Sequence, residues 1–207
     1  MENYVVTLNR QFGSLGRTIA EQMAVNLGVE YYDRDIIDTV SHRLSLPVSV
    51  ISDREEAAGG TYFSRRFPLG NVTNQEQDEI FEVQKNLILD LAERESCIIV
   101  GRCSEFVLKD KKNVFSIYIY APYEERLKNC VDYLYMDPKE AKKEIVAVDK
   151  ARDAYHMHYA GYLPSDLRHN HILVDSSVLG VTQTAMRLAD IIRDKFEDVN
   201  HGELNSL

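Results

Sequence analysis

Thr7-Leu8-Asn9-Arg10-Gln11-Phe12-Gly13-Ser14-Leu15-Gly16-Arg17-Thr18 runs from an apolar segment through a glycine-bearing loop into a helical pattern. Tyr4-Val5-Val6-Thr7-Leu8 reads as a buried strand. Over residues 17–27, Ile19, Met23 and Leu27 share one helical face, with Ala20 and Ala24 beside them, and Gly28 ends the pattern. A loop between strand and helix leaves backbone N–H groups unpaired where the helix dipole is positive. That makes an anion site, and phosphate is the usual anion. A full phosphate-binding loop reads G-x-x-x-x-G-K-[ST]. Here Gly16-Arg17-Thr18 supplies the second half, with Arg17 in the lysine position, and the first glycine falls on Gln11. On the local pattern alone, a tight turn whose glycines serve packing stays open beside a phosphate cradle.

Outward from this stretch, residues 29–32 form a short strand and Asp33 opens a second helix, with Ile36, Ile37, Val40 and Leu44 inward. Residues 45–70 carry Pro47, Pro68, Gly59-Gly60 and the cations Arg54, Arg65 and Arg66, and read as an excursion from the core. Thr73-x-x-Glu76 is a capping box, ahead of a helix with Ile80, Val83, Leu87 and Leu91 on its apolar face. Cys97-Ile98-Ile99-Val100 and residues 114–121 are continuous apolar runs suited to central parallel strands. Residues 123–135 are helical. Asp137-Pro138-Lys139-Glu140 gives an N-cap, a proline in the first turn and a capping glutamate for a charged helix reaching about Tyr159. Residues 171–174 are the last strand, and the last helix buries Val181, Ala185, Leu188, Ile192 and Phe196. Strands alternating with helices predict an α/β fold, a parallel sheet of five strands with helices on both faces.

The chain has 207 residues, enough for one generous domain, with 44% hydrophobic and 28% charged residues, which excludes collagen-like and low-complexity classes. A net charge of −9 argues against a nucleic-acid duplex as partner, while leaving room for a small anion in a local basic pocket. The three cysteines, Cys97, Cys103 and Cys130, match no zinc spacing and read as reduced thiols, so a cytoplasmic location is expected. No apolar run approaches the roughly 20 residues that span a bilayer, so no membrane partner is expected. Oligomeric state is not legible.

Three further signals carry chemistry. Asp33-Arg34-Asp35 follows the second strand, where a parallel sheet faces its ligand. Asp33 there positions a metal shell or an acceptor hydroxyl, or caps a helix. Gly101-Arg102 follows the third apolar run, where an arginine can fork two phosphate oxygens or make a surface ion pair. Asp149-Lys150-Ala151-Arg152 puts residues three apart on one helical face. Such a helix is either solvated or a lid that brings Arg152 over a transferring phosphate. His156, His158, His169 and His171 lack carboxylates or thiols at metal-ligand spacing, and Ser14 has no evident histidine partner. Tyr155, Tyr159 and Tyr162 read as packing. A dinucleotide-binding G-x-G-x-x-G is missing after the first strand.

Taken in order, residues 9–17, 31–37, 97–103, 121–126, 148–152 and 172–177 resemble the cytidylate kinase-like family of P-loop phosphotransferases, over about residues 3–195. The resemblance implies a P-loop NTPase core, a three-layer α/β/α domain over residues 1–197 with sheet order 2-3-1-4-5. It also implies an acceptor-side insert at residues 45–72 and a helical lid at residues 137–168; residues 198–207 form a tail. It implies MgATP as donor, its phosphates held by Gly13, Ser14, Leu15, Gly16, Arg17 and Thr18, with Thr18 or Ser14 helping to hold Mg²⁺. Asp33, Arg34, Arg102, Asp149 and Arg152 fall on the acceptor side, and Arg17, Asp33, Arg102 and Arg152 form the catalytic set. CMP or dCMP is the first acceptor implied. Four departures from cytidylate kinases stand out: Cys103 where they carry aspartate, Thr39 where they carry arginine, a shorter insert, and Arg17 for lysine. A nucleotide-binding regulatory module, or a cofactor-precursor kinase resembling dephospho-coenzyme A kinase, is the alternative.

Overall fold

The computed structural model describes residues 3–33 and 74–196. The second helix expected from Asp33, the insert at 45–72 with Thr39 before it, Arg34, Thr73 of the capping box and the tail at 198–207 lie outside the described residues.

Five strands, β1 (Val5–Arg10), β2 (Glu30–Tyr32), β3 (Cys97–Val100), β4 (Val114–Tyr120) and β5 (Ile172–Asp175), form one sheet. Its order is β2-β3-β1-β4-β5 and every pairing is parallel, the predicted topology. The helices are α1 (Gly16–Leu27), α2 (Asn74–Arg94), α3 (Ser104–Val107), α4 (Tyr123–Asp132), α5 (Pro138–Ala160) and α6 (Ser176–Phe196). The strand period of two sorts the apolar runs onto two faces. Val6, Leu8, Ile98, Val100, Ile117 and Ile119 meet α1 and α6 through Ile19, Met23, Leu188 and Ile192. Val5, Cys97 and Ile99 face the other way, onto Leu87, Ile88 and Leu91 of α2. A third cluster of Cys130, Ala141 and Ile145, with Phe12 against it, joins α4 to α5 beside the β1 loop.

Strand and helix limits fall within three residues of expectation, α4 showing the largest shortfall. It stops at Asp132 because Tyr133 N and Leu134 N both turn back to Asn129 O. The buried stripe of α2 is rotated from the predicted one. Phe81, Gln84, Leu87, Ile88 and Leu91 are inside, while Ile80 and Val83 are only partly covered. In α6, Ala185, Leu188 and Ile192 are buried as expected, but Val181 and Phe196 only partly. Gly180 kinks α6 with φ 72°, a left-handed residue that only glycine adopts without strain. Asp137 caps α5 as predicted, accepting from Lys139 N (2.9 Å) and Glu140 N (3.2 Å). All three cysteines are buried and free, and burial pushes the Cys130 thiol up to about 11 and Cys97 up to about 12, so neither thiol ionises near neutrality. Among the described residues no helix is long and apolar enough to cross a membrane.

Ile117 is fully enclosed on β4 and belongs to the cluster under α1 and α6. Ile117→Ala is expected to lower the unfolding free energy by about 2–5 kcal/mol in urea denaturation, the range for a large-to-small change in a packed core.

Candidate functional site

β1 hands the chain to the loop at the carboxyl end of the sheet, where a parallel fold keeps its ligand crevice. Gln11 N donates to Ile119 O (2.9 Å), and Ala121 N donates to the Gln11 side-chain oxygen (3.2 Å). The Gln11 side chain is therefore spent on the end of β4. Among the described residues the left-handed non-glycine positions are Leu15, Arg102, Cys103 and Tyr135, so Gln11 needs no glycine backbone. Beyond it the loop is anchored from outside. Asn129 Nδ2 donates to Gly13 O (2.9 Å), Arg126 Nη1 to Phe12 O (3.2 Å) and Ser176 Oγ to Ser14 O (2.7 Å). The carbonyls of residues 12–14 are thus held on neighbours, while Ser14 N turns back to Gln11 O (3.4 Å). Gly13 has φ 76°, and a Cβ there would stand 2.7 Å from Arg126 O. The first helical bond runs from Ile19 N to Leu15 O (3.0 Å), so the amides of Gly16, Arg17 and Thr18 precede the ladder. Ser14 is fully buried, and its hydroxyl donates to Gln11 O (2.9 Å). Thr18 is exposed on the first turn of α1.

Around this loop the side chains are cationic. Arg17 Nε reaches Glu21 Oε1 at 3.1 Å and Asp33 Oδ2 at 3.4 Å; Arg10 Nη2 reaches the other Asp33 oxygen at 3.4 Å. Asp33 thus bridges two guanidiniums. Arg152 Nη1 donates to Arg10 O (2.8 Å). Burial, repulsion from Arg102 and repulsion from Arg17 hold Arg10 below the ordinary arginine value despite Asp33. Burial and then repulsion from Arg10 bring Arg152 down to about 9, which still leaves it protonated at neutral pH. Two hollows share Arg10 and Arg152 as walls. One, of about 270 Å³, is completed by Gln11, Tyr118, Asp149 and Asp153; the other by Asn9, Gly101, Arg102 and Tyr155.

β3 ends in three successive left-handed residues, Gly101 (φ 78°), Arg102 (φ 61°) and Cys103 (φ 52°). For the two non-glycines this costs about 1–2 kcal/mol each, strain of the kind found at functional sites. The turn sets the Arg102 guanidinium against the Tyr155 hydroxyl on α5. The structure therefore brings together Arg17, Asp33, Arg102 and Arg152, the residues singled out in the sequence. Asp149 stands apart in its role. It accepts from Phe12 N (2.8 Å) and Arg126 Nη1 (2.5 Å), which ties the loop to α5. Arg152 is already seated on β1.

The sequence did not single out Arg10, Glu105, Arg126 or His156 as functional residues. Glu105, on the short α3, accepts from Asn9 Nδ2 (2.8 Å) and pairs with His156 Nε2, and His156 Nδ1 donates to Tyr162 O (2.6 Å). Both partners of the pair are 3% exposed. Burial disfavours the imidazolium, but the hydrogen bond and charge of Glu105, with the Tyr162 carbonyl, outweigh it and raise His156 above the ordinary imidazole value. Among the described residues no group of three or more His, Cys, Asp and Glu side chains is gathered to hold a metal ion. The tyrosines serve packing, Tyr159 stacking on Phe81 at 3.9 Å and Tyr162 on His169 at 3.6 Å. For Arg10 a signal existed in its place, the last residue of a strand entering the crevice. For Glu105 and His156 none did, since 51 residues separate them.

The model of the cytidylate kinase-like family matches residues 5–178. The chain belongs to the cytidylate kinase-like family. With that membership it is a kinase-like phosphotransferase of the nucleotide-kinase type, built on a nucleotide-binding P-loop fold. No curated protein matches it in sequence. Among solved structures, it is similar to an uncharacterized protein from Eubacterium ventriosum at 22% identity and TM-score 0.69, over 92% of this chain and 98% of that one. It is similar to shikimate kinase from Bacteroides thetaiotaomicron at 12% identity and TM-score 0.53, over 92% and 98%. Shikimate kinase from Acinetobacter baumannii, in complex with shikimate, is similar at 12% identity and TM-score 0.50, over 94% and 95%. These likenesses concern the fold.

In this family member the Glu105–His156 pair gives a signed pH dependence. Because the folded-state value of His156 is raised, the pair's contribution is complete below the ordinary imidazole pKa of about 6.5 and is lost as pH rises through the folded value. Glu105→Ala is expected to cost about 3–5 kcal/mol near pH 6, as for breaking a buried ion pair from one side. Denaturant unfolding at several pH values is expected to show the gap to wild type narrowing as pH rises.

Proposed function

We propose that this chain moves the γ-phosphate of MgATP to a small acceptor, with CMP or dCMP the first candidate. The observation that carries the reading is the pair of buried arginines, Arg10 and Arg152, at the carboxyl end of a parallel sheet and beside the first turn of α1. The carboxylates near them do not offset burial and the repulsion of neighbouring guanidiniums, so the crevice is short of negative charge. A polyphosphate supplies it.

In this reading the amides of residues 13–18 and Arg17 hold the donor's β- and γ-phosphate oxygens. Arg102 forks the acceptor's phosphate, and Arg152 balances charge on the group in transfer. Asp33, which bridges Arg10 and Arg17, keeps both guanidiniums oriented and faces the acceptor. Mg²⁺, when bound with the nucleotide, would spread the negative charge of the β- and γ-phosphates. The exposed Thr18 hydroxyl fits it, whereas the Ser14 hydroxyl is spent on Gln11 O. A monophosphate acceptor attacks through an oxygen already ionised, so the site needs positioning and charge more than a base. A cytoplasmic location agrees with a substrate of this kind and with three buried free thiols.

One observation favours a regulatory module that binds nucleotide without transfer: Arg17 is engaged by Glu21 and Asp33 rather than extended alone. A coupled ADP-release assay over nucleoside monophosphates and phosphorylated cofactor precursors separates the two. Transfer predicts turnover on one acceptor, with Arg102→Ala lowering kcat/KM by roughly 10–100-fold, the worth of a charge-assisted phosphate contact. ATP binding without turnover on any acceptor supports the regulatory module, and no ATP binding overturns both.

A further inference from the structure

Two glycines of the crevice lie against one side chain. Gly16 opens α1 with no left-handed backbone, so its turn geometry does not demand glycine. A Cβ there would stand 2.7 Å from Arg10 Cβ and 3.1 Å from Arg10 Cγ. Gly101 lies 85 positions further along the chain, and a Cβ there would stand 2.7 Å from Arg10 Nη1. The Arg10 side chain therefore leaves β1 under the first residue of α1 and ends against the backbone at the foot of Arg102. It crosses from the loop that would hold the donor to the arginine that would hold the acceptor. Its own side chain is 11% exposed, and among the described residues Asp33 alone accepts from its guanidinium, at 3.4 Å. A planar fork of five N–H donors so placed retains donors for a second anion.

We propose that Arg10 is a catalytic residue, its guanidinium bridging donor and acceptor and neutralising the phosphoryl group as it passes between them. The inference rests on the phosphotransfer proposed above and adds a residue to it. In the step, the bond from the γ-phosphorus to the β–γ bridging oxygen breaks and its electron pair leaves with ADP. An ionised oxygen of the acceptor phosphate forms the new bond to phosphorus. Arg10 gives up no proton, so charge is conserved between reactants and products. The geometry also accounts for Arg17 in the lysine position, because a second cation already reaches the transfer path.

The test compares wild type, Arg10→Lys and Arg10→Met in steady-state kinetics on the acceptor that turns over, with folding checked by circular dichroism. Arg10→Lys keeps the stem packed under Gly16 should Arg10→Met fail to fold. The expected result is a fall in kcat of about 10²–10³-fold, the size seen on removing one transition-state donor, well beyond any rise in KM for ATP and acceptor. A second readout needs no turnover. Wild type is expected to bind ADP more tightly when aluminium fluoride and the acceptor are added, and the Arg10 variants to lose that gain relative to their own binding of ADP alone. Unchanged kcat, or a loss confined to KM, overturns the role of Arg10 and leaves phosphotransfer standing. A wild type that turns over no acceptor overturns phosphotransfer, and the role of Arg10 with it.

Discussion

Arg152 hydrogen-bonds the Arg10 backbone and both side chains are buried in one crevice, and that placement is the constraint around which the carboxyl end of this sheet is arranged. Arg152 reaches Arg10 only because α5 is pinned to the sheet. Asp149 ties it to Phe12 N and Arg126, and His156 ties it to Glu105. Glu105 also accepts from Asn9, the residue before Arg10, so one carboxylate indexes both strand and helix. Breaking these ties would let the cations separate into water, which is their cheaper state when no anion is present. The fold thus holds two buried cations side by side at the ligand-facing end of the sheet.

The β1–α1 loop is closed without the glycine and lysine of the usual pattern. A glycine at position 11 would serve a backbone that Gln11 does not adopt, and the Gln11 side chain instead closes the loop against β4. Leu15, with φ 58°, takes a left-handed turn that costs about 1–2 kcal/mol, and its carbonyl accepts the first helical hydrogen bond of α1. Carbonyl groups of residues 12–14 are drawn off by Arg126, Asn129 and Ser176. The amides of Gly16, Arg17 and Thr18, which precede the helical ladder, stand beside Arg10 and the Arg17 side chain, an arrangement that depends on backbone path rather than on a lysine.

Much of the fold was legible because its signals are local. Cys97-Ile98-Ile99-Val100 followed by Gly101 can hardly be other than a central strand, and Asp137-Pro138 announces α5. Arg17, Asp33, Arg102 and Arg152 were legible as candidates because strand ends and helix starts converge in any parallel α/β sheet. What could not be read depends on contacts between distant segments. The importance of Arg10 shows only when Gly16 and Gly101 are seen on either side of it. The Glu105–His156 pair joins a four-residue helix to a long one, and α3 is too short to leave a periodic trace. The inward turn of Ser14 and the rotated face of α2 are side-chain choices made by packing.

The proposed chemistry requires that the amides of the β1–α1 loop and the arginines beside it hold polyphosphate. The most direct measurement is an NMR titration of the isotope-labelled protein with a non-hydrolysable ATP analogue, following backbone amides and arginine Nε–H groups together. The account predicts that the largest shifts fall on residues 13–18 and on Arg10, Arg17 and Arg152. Saturable binding whose shifts lie elsewhere, with this loop unmoved, would contradict it.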